Sequence, residues 1–111
     1  MSRTFKKESE YQAYLKRERI PELLGNKKVC KILKNDAQVQ SGVPDLTVIK
    51  GSKWAWLEVK ISSKAKARPG QPENVEYAKT NSFGSFIYPE NENEVLTDLK
   101  KFMDGNNWYL N

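Results

Sequence analysis

Apolar positions in the first quarter of the chain recur near helical spacing. Tyr11, Tyr14 and Leu15, then Leu23 and Leu24, stand with charged residues between them, so Ser9–Leu24 reads as a helix. Pro21 is expected to kink it or to end its first part, and Gly25-Asn26 closes the segment as a turn. Lys28–Lys34 (KVCKILK) is short and β-branched enough for a strand, and residues 35–44 form a polar loop ending in Gly42 and Pro44. Leu46–Lys50 and Lys53–Lys60 are two further strands, joined at Gly51-Ser52, a dipeptide suited to a tight hairpin turn. The basic loop Ile61–Gly70 leads into a helix over Gln71–Lys79, in whose first turn Pro72 is tolerated. Gly84–Tyr88 is a fourth strand, stopped by Pro89. Asn91–Met103 is a last amphipathic helix with Val95, Leu96, Leu99 and Phe102 as its apolar stripe. The order α-β-β-β-α-β-α predicts an α/β domain, a mixed sheet flanked by helices.

The hairpin carries the most specific expectation. With Gly51 and Ser52 at the centre of the turn, Lys50 pairs with Lys53, Ile49 with Trp54, and Asp45 comes directly opposite Glu58. Directly opposed residues have Cβ atoms about 4.5–5.5 Å apart, and like charges there are destabilising. Folding does not ask for that pair, whereas a hard divalent cation does. Strand alternation puts Trp54, Trp56, Glu58 and Lys60 on one face and Ala55, Leu57 and Val59 on the other. Glu-x-Lys therefore sets an ammonium beside two carboxylates, where it can help an attacking water or stabilise charge building on a phosphate.

Composition narrows the chemistry further. The 111 residues suit one domain, with no repeat, low-complexity tract or linker. There is no histidine and one cysteine, which removes imidazole acid–base catalysis, Ser-His and Cys-His nucleophiles, disulfide frameworks and multi-thiolate metal sites. Carboxylates, lysines, arginines, tyrosines and hydroxyls remain, a palette for oxygen-ligated metal chemistry or for binding alone. Of the formal charge of +5, residues 1–68 hold 16 basic and 7 acidic side chains, and residues 69–111 hold 3 and 7. That split suggests one face for a polyanion and another turned away from it. No membrane span or signal peptide is expected, so a cytoplasmic setting is, and Cys30 is expected as a small buried residue in a strand.

Gly42-Val43-Pro44-Asp45-Leu46 followed by Leu57-Glu58-Val59-Lys60 resembles the PD-(D/E)xK nuclease signature. More narrowly, the chain is similar to small phage-type members of the virus-type replication-repair nuclease (VRR-NUC) family. That likeness also takes in Glu8-Ser9 ahead of Tyr11-Gln12, Leu33-Lys34-Asn35-Asp36, Arg68-Pro69-Gly70-Gln71 and Phe86-Ile87-Tyr88-Pro89-Glu90-Asn91. The resemblance implies a single nuclease domain over 1–111 with a restriction-endonuclease-like core. It implies that Asp45 and Glu58 bind Mg²⁺ or Mn²⁺ with the backbone carbonyl of Val59, and that Lys60 assists the attacking water. It also implies that Glu8 completes the metal–water network, directly or through water, and that Gln71 lies beside the site. Glu10 competes with Glu8, since an acid near a helix N-terminus is favoured by the dipole at either position; the Glu-Ser-x-aromatic-Gln context favours Glu8. In related nucleases a tyrosine follows the glutamine by four positions; here Val75 does, and Tyr77 comes later.

By the same resemblance the substrate is branched DNA, the assembly a homodimer similar to Holliday-junction resolvases, and the setting a phage or prophage protein in the host cytoplasm. Lys64, Lys66 and Arg68, in the loop beyond Glu-x-Lys, are candidate phosphate contacts, as are Lys34 and Asn35 before the motif. Trp54 and Trp56 are expected to pack beneath the helix that carries Glu8, and the apolar end Trp108-Tyr109-Leu110 to cap the core or enter a partner subunit. A monomeric flap or nicking nuclease, an RNase, a non-catalytic DNA-binding module and an interaction protein using the acidic C-terminal third are the alternatives.

Overall fold

The structure, a computed structural model, describes residues 4–36 and 42–105. Along the chain it forms α1 (Glu8–Tyr14), a π-helical segment (Leu15–Arg19), α2 (Ile20–Leu24), β1 (Lys31–Lys34), β2 (Leu46–Lys50), β3 (Lys53–Val59), α3 (Gln71–Asn81), β4 (Phe83–Ile87) and α4 (Glu92–Met103). The four strands lie in the order β1-β2-β3-β4. The first three are antiparallel neighbours, and β4 pairs parallel with β3 after the α3 crossover. The chain is therefore an α/β fold with a mixed sheet, as its periodicity predicts.

The hairpin register follows the turn. Lys50 pairs with Lys53, Ile49 with Trp54 and Leu46 with Leu57, and Gly51 takes φ 64°, which a side chain would resist. Period-two alternation then sorts the residues. Leu46, Val48, Ala55, Leu57, Val59 and Ile87 join Tyr11, Leu15, Ile20, Leu24, Val95, Leu96, Leu99 and Met103 in one buried core.

α3 lies across β3 and β4, and Gly84 lets it come close. A Cβ at Gly84 would stand 2.5 Å from the Val75 carbonyl oxygen and 2.7 Å from Ala78 Cβ. Trp54 and Trp56 face this helix, with their ring centroids 6.5 and 6.1 Å from that of Tyr77. They do not pack beneath the helix of Glu8 as predicted: the β3–β4 crossover helix takes their side of the sheet.

Two boundaries differ for local reasons. Pro21 does not end the helical segment, which runs on to Leu24. A proline ring crowds the carbonyl four residues back, here that of Arg17. The chain widens into the π segment just before it, with the Ile20 N–H reaching Leu15, and resumes as α2. The strand predicted from Lys28 begins at Lys31. Asn26 instead gathers the Lys28, Val29 and Cys30 N–H groups into a turn, so buried Cys30 sits just outside the strand. Elsewhere Glu92 accepts from the Tyr11 hydroxyl at 2.9 Å and from Arg19 Nε at 3.0 Å, joining the first helix to α4. Among the described residues no helix is long and apolar enough to cross a membrane. The Trp108–Tyr109–Leu110 tail lies outside the described residues.

Candidate active site

One step beyond the last paired residues of the hairpin, the register carries Asp45 opposite Glu58. Asp45 is anchored at both ends. Its Oδ2 accepts the Val59 N–H at 2.9 Å, and its carbonyl accepts the Asn35 N–H at 2.8 Å. Asn35 Nδ2 in turn holds the Pro44 carbonyl at 2.7 Å and Thr47 Oγ1 at 2.9 Å. Asn35 therefore fixes the Pro44-Asp45 turn with its own side chain, while Lys34 beside it is exposed.

Glu58 is buried, 1% exposed, and so are Lys60 and Gln71, at 4% and 5%. Gln71 opens α3 and accepts the Arg68 N–H on Oε1 at 2.6 Å, which leaves its Nε2 to donate to Glu58 Oε2 at 2.8 Å. Lys60 Nζ stands 3.5 Å from the same oxygen. Glu58 Oε1 is buried, and no hydrogen-bond donor of the described residues reaches it. Burial pushes the Glu58 carboxyl up to about 8; repulsion from Asp45 and a proton the two can share add to this, and Lys60 opposes it.

Two loop motifs are locked together to build this corner. Gly42 takes φ 85°, and a Cβ there would lie 2.9 Å from the Gly70 carbonyl carbon. Asn74 Nδ2 donates to the Gly42 carbonyl at 2.8 Å. The Gly42–Asp45 lead-in thus rests on the turn that starts α3, so Asp45 and Gln71 are positioned by one contact. A glycine at each motif is the sequence signal; Asn74 carries none.

Glu8 is half-buried and lines an open cleft of about 470 Å³ with Ser9, Gln12, Lys34, Asn35, Asp36 and Asp45. Glu10 is used elsewhere: its Oε1 accepts the Lys6 and Lys7 N–H groups at 3.1 Å each, closing the start of α1. The structure therefore brings Glu8, not Glu10, to the cleft of Asp45. Gln12, four residues after Glu8 on the same helix face and part of the Glu-Ser-x-aromatic-Gln context, is there too, although the sequence gives it no role of its own. Among the described residues no group of three or more carboxylates and thiols converges to hold a metal ion. A cation here would rest on the Asp45/Glu58 pair, with Glu8 on the same cleft.

Lys64, Lys66 and Arg68 are in the loop after β3, and all three are exposed. That loop is tied down by Glu90, whose Oε2 accepts the Ser63 N–H at 3.2 Å and its hydroxyl at 3.1 Å. The Ser63 N–H holds the Glu90 carboxyl below its usual range. Tyr77, six residues along α3 from Gln71, stacks on the tryptophans rather than entering the site. No protein-family profile matches the chain, and no curated protein matches it.

Proposed function

We propose that the chain is a divalent-cation-dependent DNA endonuclease of the PD-(D/E)xK type, similar to phage VRR-NUC nucleases, acting on branched DNA as a junction-resolving homodimer. One observation carries this reading: a buried Glu58 oxygen without a donor, beside a second carboxylate, with Lys60 and Gln71 satisfying the other oxygen. An ionised carboxylate left that way costs stability unless a proton or a cation occupies the gap. The donor set, oxygen only, fits Mg²⁺ or Mn²⁺.

Asp45 and Glu58 would hold the ion, helped by the Val59 carbonyl. When bound, it supplies Lewis acidity, polarising the phosphoryl oxygen and lowering the pKa of water, so no histidine base is needed. Gln71 keeps Glu58 in one orientation. Lys60 places an ammonium where negative charge builds on the phosphate. Glu8, across the cleft, orients the attacking water. Water oxygen bonds to phosphorus in line, the P–O3′ bond breaks, and a proton passes to the leaving O3′, giving a 5′-phosphate and a 3′-hydroxyl. Two symmetric cuts in a four-way junction need two such sites, which a C2 homodimer supplies.

The test is to incubate the protein with labelled four-way junction, flap, splayed, linear and RNA substrates in Mg²⁺, Mn²⁺ or EDTA, with its mass in solution measured by light scattering. Paired symmetric incisions by a dimer are expected. A single nick or flap cut by a monomer, cleavage confined to RNA, or binding without cleavage would each replace this reading with one of its alternatives.

A further inference from the structure

We propose that Gln12 is a substrate-binding residue, its carboxamide N–H₂ donating to a non-bridging oxygen of the phosphodiester that enters the cleft. This deepens the nuclease reading and rests on it. Gln12 is 8% exposed, yet it lines the open cleft of Glu8, Lys34 and Asp45. Among the described residues the one enclosed side-chain oxygen or nitrogen without a partner is Glu58 Oε1, so the carboxamide of Gln12, which makes no hydrogen bond to them, opens to the cleft rather than being sealed in the core. The side chain is therefore mostly packed while its amide end stays available to a group entering the cleft.

The surroundings say what the amide is for. Glu8 and Asp45 give the cleft anionic oxygens that suit a cation and water, while the Gln12 N–H₂ and the Lys34 ammonium offer donors to an anion. A phosphodiester drawn to a cation at Asp45 presents its remaining non-bridging oxygen to such donors. Because α1 is a regular helix at Gln12, that donor is held by rigid backbone, so it orients the phosphate as well as attracting it.

The test compares the wild-type chain with Gln12→Met, an apolar side chain of similar length, and Gln12→Glu, which keeps the size and loses the donor. Three readings are taken: thermal melting, binding of a labelled four-way junction by anisotropy in EDTA, and kcat and KM for its cleavage in Mg²⁺. Gln12→Met is expected to melt at or above wild type, to bind more weakly, and to lose about 10- to 100-fold in kcat/KM; Gln12→Glu is expected to bind more weakly still. A Gln12→Met protein that melts lower while retaining wild-type kcat/KM marks a structural amide and overturns the proposal. Wild-type binding and cleavage by both variants would overturn it equally, the amide then being satisfied by water. Wild-type protein that binds the junction but cuts nothing removes the nuclease reading, and the EDTA binding comparison still decides the role of Gln12.

Discussion

Gln71 Nε2 donates to Glu58 Oε2 at 2.8 Å, and because Gln71 Oε1 is already taken by the Arg68 N–H, the amide can face Glu58 in one orientation only. A helix start thereby dictates which carboxylate oxygen is left without a donor. Gln71→Leu should remove that choice, leave the Arg68 N–H and Glu58 Oε2 short of a partner, and cost about 1–3 kcal/mol in urea unfolding. It should also weaken Mn²⁺ binding by about 10- to 100-fold in titration calorimetry. Wild-type affinity in the variant would mean that Gln71 does not position Glu58.

Glu58 makes the cation-free protein pH-sensitive in a definite direction. Its folded value, about 8, lies above the ordinary 4.5, because burial, Asp45 repulsion and a shared proton favour the neutral form. The folded state thus holds a proton the unfolded chain gives up. Stability is full below about pH 4.5 and falls as pH rises toward 8. In EDTA, melting should drop by several degrees across that window, and Glu58→Gln should flatten the drop. Added Mg²⁺ should raise melting more at pH 8 than at pH 6, since it competes with the proton. Identical profiles for wild type and Glu58→Gln would contradict this.

Gly84 is where α3 meets β4, so closely that a Cβ at this position would stand 2.5 Å from the Val75 carbonyl oxygen. Gly84→Ala must push the helix off the sheet, at a cost of about 1–3 kcal/mol. Since α3 also delivers Gln71, Mn²⁺ affinity should fall with stability in the same variant. A loss of stability with full metal affinity would show that the two ends of α3 move independently.

Much of this arrangement was legible because local rules governed it. Gly51-Ser52 sets a hairpin register, and side-chain alternation then places Glu58 and Lys60 on one face without reference to the rest of the chain. What was not legible depends on choices made at a distance. Which helix would cover Trp54 and Trp56 turns on the side taken by the crossover between β3 and β4. The Tyr11–Glu92 hydrogen bond joins residues 81 positions apart, with no spacing to announce it. Asn26 and Pro21 shift their boundaries by a competing turn and a widened helix, both of which propensity alone ranks below the regular element.

That distant pair has its own consequence. Tyr11 is fully buried, and burial together with its hydrogen bond to Glu92 pushes the phenol well above its usual range. Glu92→Ala leaves the buried Tyr11 hydroxyl without its acceptor and frees Arg19 Nε, while the other guanidinium nitrogens keep Glu22 and Asn93, so its cost should exceed that of Tyr11→Phe, which removes the donor along with its need for a partner. A double-mutant cycle in urea should return a coupling of about 0.5–3 kcal/mol. Additive effects would show that the pair contributes no more than its separate parts.

The most direct measurement is cleavage of a four-way junction by wild-type protein and by Asp45→Asn, each in Mg²⁺ and in EDTA. Asparagine can still accept the Val59 N–H, so the variant should fold and bind the junction. If Asp45 and Glu58 hold a catalytic cation, the wild type cuts only with the metal, and the variant is slower by more than about 100-fold. Equal cutting by Asp45→Asn, or wild-type cutting undiminished in EDTA, would contradict that central claim.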